Sequence, residues 1–154
     1  MYKKILVPLE GTENDKIILE HIRRLAKNVG AAVVLIQLHR VIKDDDPFMK
    51  GIQIEPGSSG YIKKEKAEPY LAELEKSFLK DGIDVSSEFI VVTEAEADAI
   101  VKYAEDKDCD LIALTNQQSL GVGRWFFLNI EEKVKRRSSV PVILVAGVND
   151  KEKS

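Results

Sequence analysis

The feature that most constrains this chain is an alternation. Short, continuous, β-branched apolar runs take turns with stretches whose apolar residues recur every three or four positions. The runs are "KKILVPLEG", "AAVVLIQLHRV", "IDVSSEFIVV", "DLIALT" and "VPVILVAGV". Each reads as a strand, the first buried on both faces and the second and fourth also buried. Between them, Ile18, Ile22, Leu25 and Val29 share one helical face. Ala67, Leu71, Leu74 and Phe78 mark a second helix over about Lys63 to Asp81, and Ala97, Ile100, Val101 and Ala104 a third. A fourth is expected from about Asn129 to Arg137. Thr12 or Asn14 is expected to cap the first helix; Gly30 and Gly82 are expected to stop the first and second. Pro8, which has no N–H, belongs near the end of its strand. Strands alternating with helices imply an α/β fold: a single open parallel sheet with helices on both faces and right-handed crossovers.

Ile42 to Tyr61 breaks the alternation. It holds Pro47, Pro56 and three glycines and reads as a long loop, expected to be mobile in the free protein. At 154 residues the chain fits one domain, and a net charge of −3 gives no field favouring nucleic acid. The single cysteine, Cys109, cannot form an internal disulfide, and no Cys/His cluster suggests zinc. No run approaches the roughly 18 apolar residues of a membrane helix, so no membrane insertion is expected. "MYKKILVPLEG" is too poor in apolar residues for a signal peptide, and a cytoplasmic location is the expectation.

Ligands in open α/β sheets bind beyond the carboxyl ends of the strands, where the strand order reverses. That directs attention to Glu10, to Arg40 with Val41, and to "TNQQSLGVGRWFFLN" from Thr115 to Asn129.

Several of these stretches resemble the universal stress protein family. "YKKILVPLEGTE" resembles its opening, where the strand usually ends in Val-Asp-Gly-Ser. "LIQLHRV" resembles its second strand, "EAEADAIVKYAEDKDCDLIALT" its third helix and fourth strand, and "IEEKVKRRSSVPVILV" its closing helix, Val-Pro turn and last strand. The resemblance implies a Rossmann-like, adenine-nucleotide α-hydrolase-like sheet of five strands in order 3-2-1-4-5, usually in a homodimer. It places such a domain over 1–148, with "NDKEKS" as a polar tail over 149–154.

One kind of family member binds ATP through Gly, two residues, Gly, nine residues, then Gly with Ser or Thr; another kind lacks that pattern. Laid without gaps, its positions fall on Thr115, Gln118, Leu128 and Asn129. All three glycines are missing. The first-strand Asp of the binders falls on Glu10, and a small apolar residue near the adenine falls on Arg40. A phosphate loop needs bare backbone N–H groups, and Leu128 offers an apolar branch instead. The resemblance therefore implies a non-catalytic, regulatory stress protein with no cofactor. The alternative is a binder of ATP or another adenine nucleotide through a vestigial site of Pro8, Leu9, Glu10, Arg40, Val41, Leu114, Thr115, Gln118, Leu128 and Asn129, with slow hydrolysis at most. An enzyme of the wider α-hydrolase-like group would need a phosphate loop after the first strand, which "PLEGTEND" does not supply.

The remaining candidates favour plain readings. Gly121, Gly123 and Arg124 read as a turn with a solvated Arg rather than an anion nest. "GVG" fails as a dinucleotide fingerprint. Glu10 reads as a loop carboxylate bonded to nearby N–H groups, and Asp44 to Asp46 as a solvated acidic loop rather than a calcium site. His39 and His21 read as structural. The acids flanking Cys109 are expected to raise its thiol pKa. Lys133, Lys135, Arg136 and Arg137 suit a helix C-terminus. Trp125, Phe126 and Phe127 either bury under the last helix or present a partner surface. The last strand lies at a sheet edge in the implied order and carries no charge from Val142 to Val145. Pairing with a second copy through Val140, Val142, Ile143, Leu144 and Val145 would satisfy that edge. Unidentified protein partners complete the expectation.

Overall fold

A computed structural model describes residues 2–41, 60–116 and 129–146. In chain order these form β1 (Lys4–Leu9), α1 (Asp15–Val29), β2 (Ala32–Arg40), α2 (Gly60–Lys80), β3 (Val85–Val92), α3 (Glu96–Asp106), β4 (Leu111–Asn116), α4 (Ile130–Arg137) and β5 (Val142–Ala146). The sheet is parallel, in the order β3-β2-β1-β4-β5. The period-two alternation of each strand sends its residues to two separate cores. Ile5, Val7, Leu9, Val33, Leu35, Leu111, Ala113 and Val145 face α1 and α2. Leu6, Val34, Ile36, Ile112 and Leu114 face α3 and α4. This double burial is why β1, β4 and the first half of β2 read as unbroken apolar runs, whereas the edge strand β3, with Ser86, Ser87 and Glu88, is largely half-buried or exposed.

The expected helices are present, with two differences. α2 begins at Gly60, inside the stretch read as loop, and carries Pro69 in its interior. Helix starts tolerate glycine because the first four N–H groups have no intrahelical partner. Pro69 withholds one ladder bond, yet Ala67, Leu71 and Phe78 on the buried face hold the helix down. The rest of the expected loop, 42–59, lies outside the described residues. α1 is fastened to α2 by Arg23, whose guanidinium lies 4.4 Å over the Phe78 ring. It also donates to the Ser77 hydroxyl and to Asp81, each at 2.7 Å. Phe78 is fully buried beneath it, and truncation to alanine there should cost about 3–5 kcal/mol. Gly30 ends α1 in the left-handed region, at φ 69°, with its N–H on the Ala26 carbonyl.

The capping of α1 departs from expectation. Asn14 occupies the cap position but makes no side-chain capping bond, and the Thr12 hydroxyl accepts only from the Asn14 N–H, at 3.2 Å. The next residue, Asp15, organises this turn.

Pro8 is the fifth of the six residues of β1, as its chemistry requires. The ladder between β1 and β4 runs through Ile5–Leu111 and Leu6–Ile112 and stops there, so no β4 partner is asked of the proline. Beyond that point β4 pairs only with β5. The end of the β1–β4 ladder marks the crevice where the strand order reverses.

Candidate functional site

Each strand delivers its chain to the carboxyl edge of the sheet, and the helix that follows starts there. All four buried polar or charged residues among the described ones gather at this edge: Asp15, Glu96, Thr115 and Glu131. Asp15, Glu96 and Glu131 stand in the first turns of α1, α3 and α4. Acids suit the positive end of a helix dipole. Burying them elsewhere would be costly without such partners.

Asp15 accepts three hydrogen bonds. One carboxylate oxygen accepts the Glu10 N–H at 2.9 Å; the other accepts the Gly11 N–H and the Tyr70 hydroxyl, both at 2.8 Å. Two N–H groups, one on each oxygen, are the pattern of an ionised carboxylate. Burial nonetheless pushes its pKa up from the ordinary 3.8, against the lowering effect of the Glu10, Tyr70, Gly11 and Thr12 donors. Burial and the neighbouring Asp15 charge likewise push the Tyr70 phenol up, so it remains a donor. The turn needs glycine at position 11. Its φ is 81°, and a Cβ there would stand 2.6 Å from Gln37 Nε2.

Glu10 is half-buried at this edge, and its main-chain N–H joins the bonded turn. Arg40 is half-buried at the end of β2, where Val41 is exposed. Leu9 and Leu114 are sealed in opposite cores, at 1% exposure each, and Pro8 is buried in β1. Thr115 is a β4 residue, 5% exposed and in register with Val145. Asn129 is exposed and adopts the left-handed conformation, φ 57°, just before α4. Asparagine tolerates that region better than other residues with a Cβ. Gln118 and Leu128 lie outside the described residues. So do Gly121, Gly123, Arg124, the aromatics Trp125 to Phe127, Asp44 to Asp46 and the tail over 149–154.

Among the side chains read as structural, His39 stacks on Phe89 with ring centroids 6.5 Å apart, and His21 is exposed on α1. The Cys109 thiol is pushed up to about 11; burial is the larger cause, with Asp110 and Asp108 adding to it against Lys4. Among the described residues no group of three or more His, Cys, Asp or Glu could hold a metal. None of the described helices is long and apolar enough to cross a membrane. Val140, just before β5, and Val142, Ile143 and Leu144 within it are half-buried, while Val145 is buried in the α1-side core.

Sequence reasoning missed Asp15 and Tyr70. Asp15 sits three residues before Ile18 and seven before Ile22, a spacing that places an acid on the buried helical face. That signal was available. Its partner, 55 residues away in α2, was not.

Comparisons with known proteins agree with this architecture. A curated relative, universal stress protein MJ0531 of Methanocaldococcus jannaschii, is 28% identical over 148 residues, covering 94% of this chain and 82% of that protein. The solved structure of MJ0577, from the same organism, superimposes with a TM-score of 0.73 at 23% identity, covering 97% of this chain and 99% of that one. A universal stress protein from Archaeoglobus fulgidus in complex with dAMP superimposes at 0.64, with 17% identity and coverage of 94% and 98%. The family model described as the universal stress protein family matches residues 1–146, and the chain belongs to that family.

Proposed function

We infer that this chain is a non-catalytic, regulatory stress protein that works as a homodimer and takes up no ATP. The observation that carries the reading is the acid at the start of α4. Glu131 stands in its first turn at 8% exposure, with Glu132 beside it. A phosphate approaching that helix end would meet carboxylates where it needs bare N–H groups. Asp15 and Glu96 place acids likewise in the first turns of α1 and α3. Missing glycines at Thr115, Gln118 and Leu128 point the same way. The residues present therefore do not fit a triphosphate.

The second reading is an adenine-nucleotide binder, favoured by the dAMP-bound relative and by the crevice beside Glu10. A monophosphate asks less of the loop after β4 than ATP does. Titration calorimetry with ATP and magnesium, then with dAMP, separates the two. No heat of binding is expected for ATP. A micromolar dissociation constant, about −8 kcal/mol, would overturn the ATP-free reading.

The dimer reading rests on β5. Among the described residues it pairs only with β4, so one edge of it is open, and its apolar side chains are only half-covered. Because Val145 is buried within its own core, a charge there would unfold the chain rather than test a seam. Ile143→Lys or Leu144→Lys should shift the mass seen by light scattering from dimer to monomer. A wild-type monomer at micromolar concentration, or a dimer that survives both lysines, would remove β5 as the seam.

A further inference from the structure

On the side opposite β5 the sheet ends in β3. Among the described residues β3 pairs with β2 alone. The Val33 and Val41 N–H groups donate to the Asp84 and Val92 carbonyls, at the two ends of this ladder. Backbone groups alternate sides along a strand. Ser86, Glu88 and Ile90 therefore also face β2, and Val85, Ser87, Phe89 and Val91 turn their N–H and C=O groups outward. Edges of this kind are usually guarded by a lysine, a proline or a charge. Val85–Val92 has no lysine and no proline. Its one charge, Glu88, is drawn aside, because the Tyr103 hydroxyl of α3 donates to it at 2.8 Å. On the other face the Ser87 hydroxyl donates to Glu75 of α2. These two side chains are thus held by the flanking helices rather than folded over the outward amides.

A cavity flanks the strand on each face. On the α3 side, one of about 300 Å³ is lined by Val34, Ser86 and Tyr103, and its lysines, Lys4 and Lys107, balance Asp84 and Glu88. On the α2 side, one of about 370 Å³ has Leu71 and Phe89 as its apolar wall. Glu68, Glu75 and Glu88 line it against a single cation, Lys64, which already lies 3.9 Å from Glu68. That cavity is acidic and the other is balanced. A strand added to an edge sends alternate side chains to the two faces, where these cavities lie. We propose that β3 is a docking edge for an extended segment of a protein partner, with a lysine or arginine directed to the α2 side and uncharged residues to the α3 side. Main-chain bonds to the outward groups of Ser87 and Phe89 set the register. The basic stem lies on Leu71 and Phe89, and its head reaches Glu68 and Glu75. The same charges argue against a second copy as occupant. Neither Val85–Val92 nor Val142–Ala146 contains a basic residue, so neither strand brings anything to meet the acids. The docking edge lies across the sheet from the β5 seam and does not depend on it.

Record amide nitrogen–proton spectra while adding a blocked peptide of four Thr-Lys repeats, whose lysines share one face when extended. Repeat with glutamate in place of lysine. The Ser87 and Phe89 signals should move saturably with the lysine peptide, and their hydrogen exchange should slow. Val142 to Val145 should stay still, and the glutamate peptide should move nothing. Stillness of Ser87 and Phe89, an equal response to both peptides, or lysine-peptide shifts that spread over other acids and spare these two amides would each overturn the proposal. Glu68→Lys, at an exposed position beside the acidic cavity, should weaken the lysine peptide by about tenfold. Unchanged affinity in the folded variant would overturn the charge reading. Should that variant fail to fold, Glu75→Gln, which keeps an acceptor for Ser87, supplies the same test. Protection of the Ser87 and Phe89 amides in the free protein that disappears on dilution would show a second copy on this edge, and the proposal would fall.

Discussion

The two ends of β1 are finished by the same device in opposite surroundings. At the amino end, the Asp110 carboxylate accepts the Lys3 N–H at 2.9 Å and the Lys4 N–H at 3.0 Å. At the carboxyl end, Asp15 accepts the Glu10 and Gly11 N–H groups at nearly the same distances. Asp110 comes from the far end of the chain and Asp15 from the helix start that follows the strand, yet both bind two consecutive amides. Asp110 is open to solvent on one side; Asp15 is not. The pKa values consequently move apart. For Asp110 partial desolvation is the largest single influence and raises it. The Lys4 and Lys3 N–H groups, its own backbone and the terminal ammonium together outweigh that and hold it below 3.8. For Asp15 burial prevails over a similar set of donors. Matching hydrogen bonds do not make matching sites; access to water decides how much each charge costs.

The comparison breaks most visibly on truncation. Asp15→Ala leaves two N–H groups and a phenol facing a space that water reaches poorly, and should cost about 3 kcal/mol. Asp110→Ala lets solvent take over its two amides and should cost about 1 kcal/mol or less. Urea denaturation of the two variants measures both, and equal losses would end the argument that exposure separates them.

A smaller effect, with a sign, comes from pH. Asp15 has a folded pKa above its unfolded value. The part of its contribution that depends on protonation is therefore full below about pH 3.8 and is lost as pH rises through the folded value. Asp110 is the reverse: its contribution is full above about pH 3.8 and is lost as pH falls through its lowered value. Denaturation of Asp15→Asn and Asp110→Asn across a pH series should show this. The stability difference from wild type should shrink on the alkaline side for the first and on the acid side for the second. Parallel curves would mean that both carboxylates titrate alike.

The sheet and its helices were legible in the sequence because they depend on local periodicity. Ile18 and Ile22, or Ala97, Ile100 and Ala104, announce a buried face without knowledge of what covers it, and Gly30 and Gly82 announce ends. The sheet order was implied by resemblance alone, because no residue of β1 says that β4 lies beside it. At the candidate site, the positions of Glu10, Arg40 and Thr115 at strand ends followed from the same periodicity. What Asp15 does there did not, because its meaning depends on a hydroxyl delivered from α2. A carboxylate in a first turn looks the same in sequence whether it faces water or two amides and a tyrosine.

The single cysteine has a practical consequence. Cys109 is 4% exposed, between α3 and β4, and its thiol is held near 11, so in the native state it is both shielded and poorly nucleophilic at neutral pH. An alkylating reagent can reach it only when the α3–β4 turn comes apart. The protein thus carries its own stopwatch. The rate at which one sulfur is capped, followed by mass, counts how often this corner of the sheet opens, with no label introduced and no second thiol to confuse the reading.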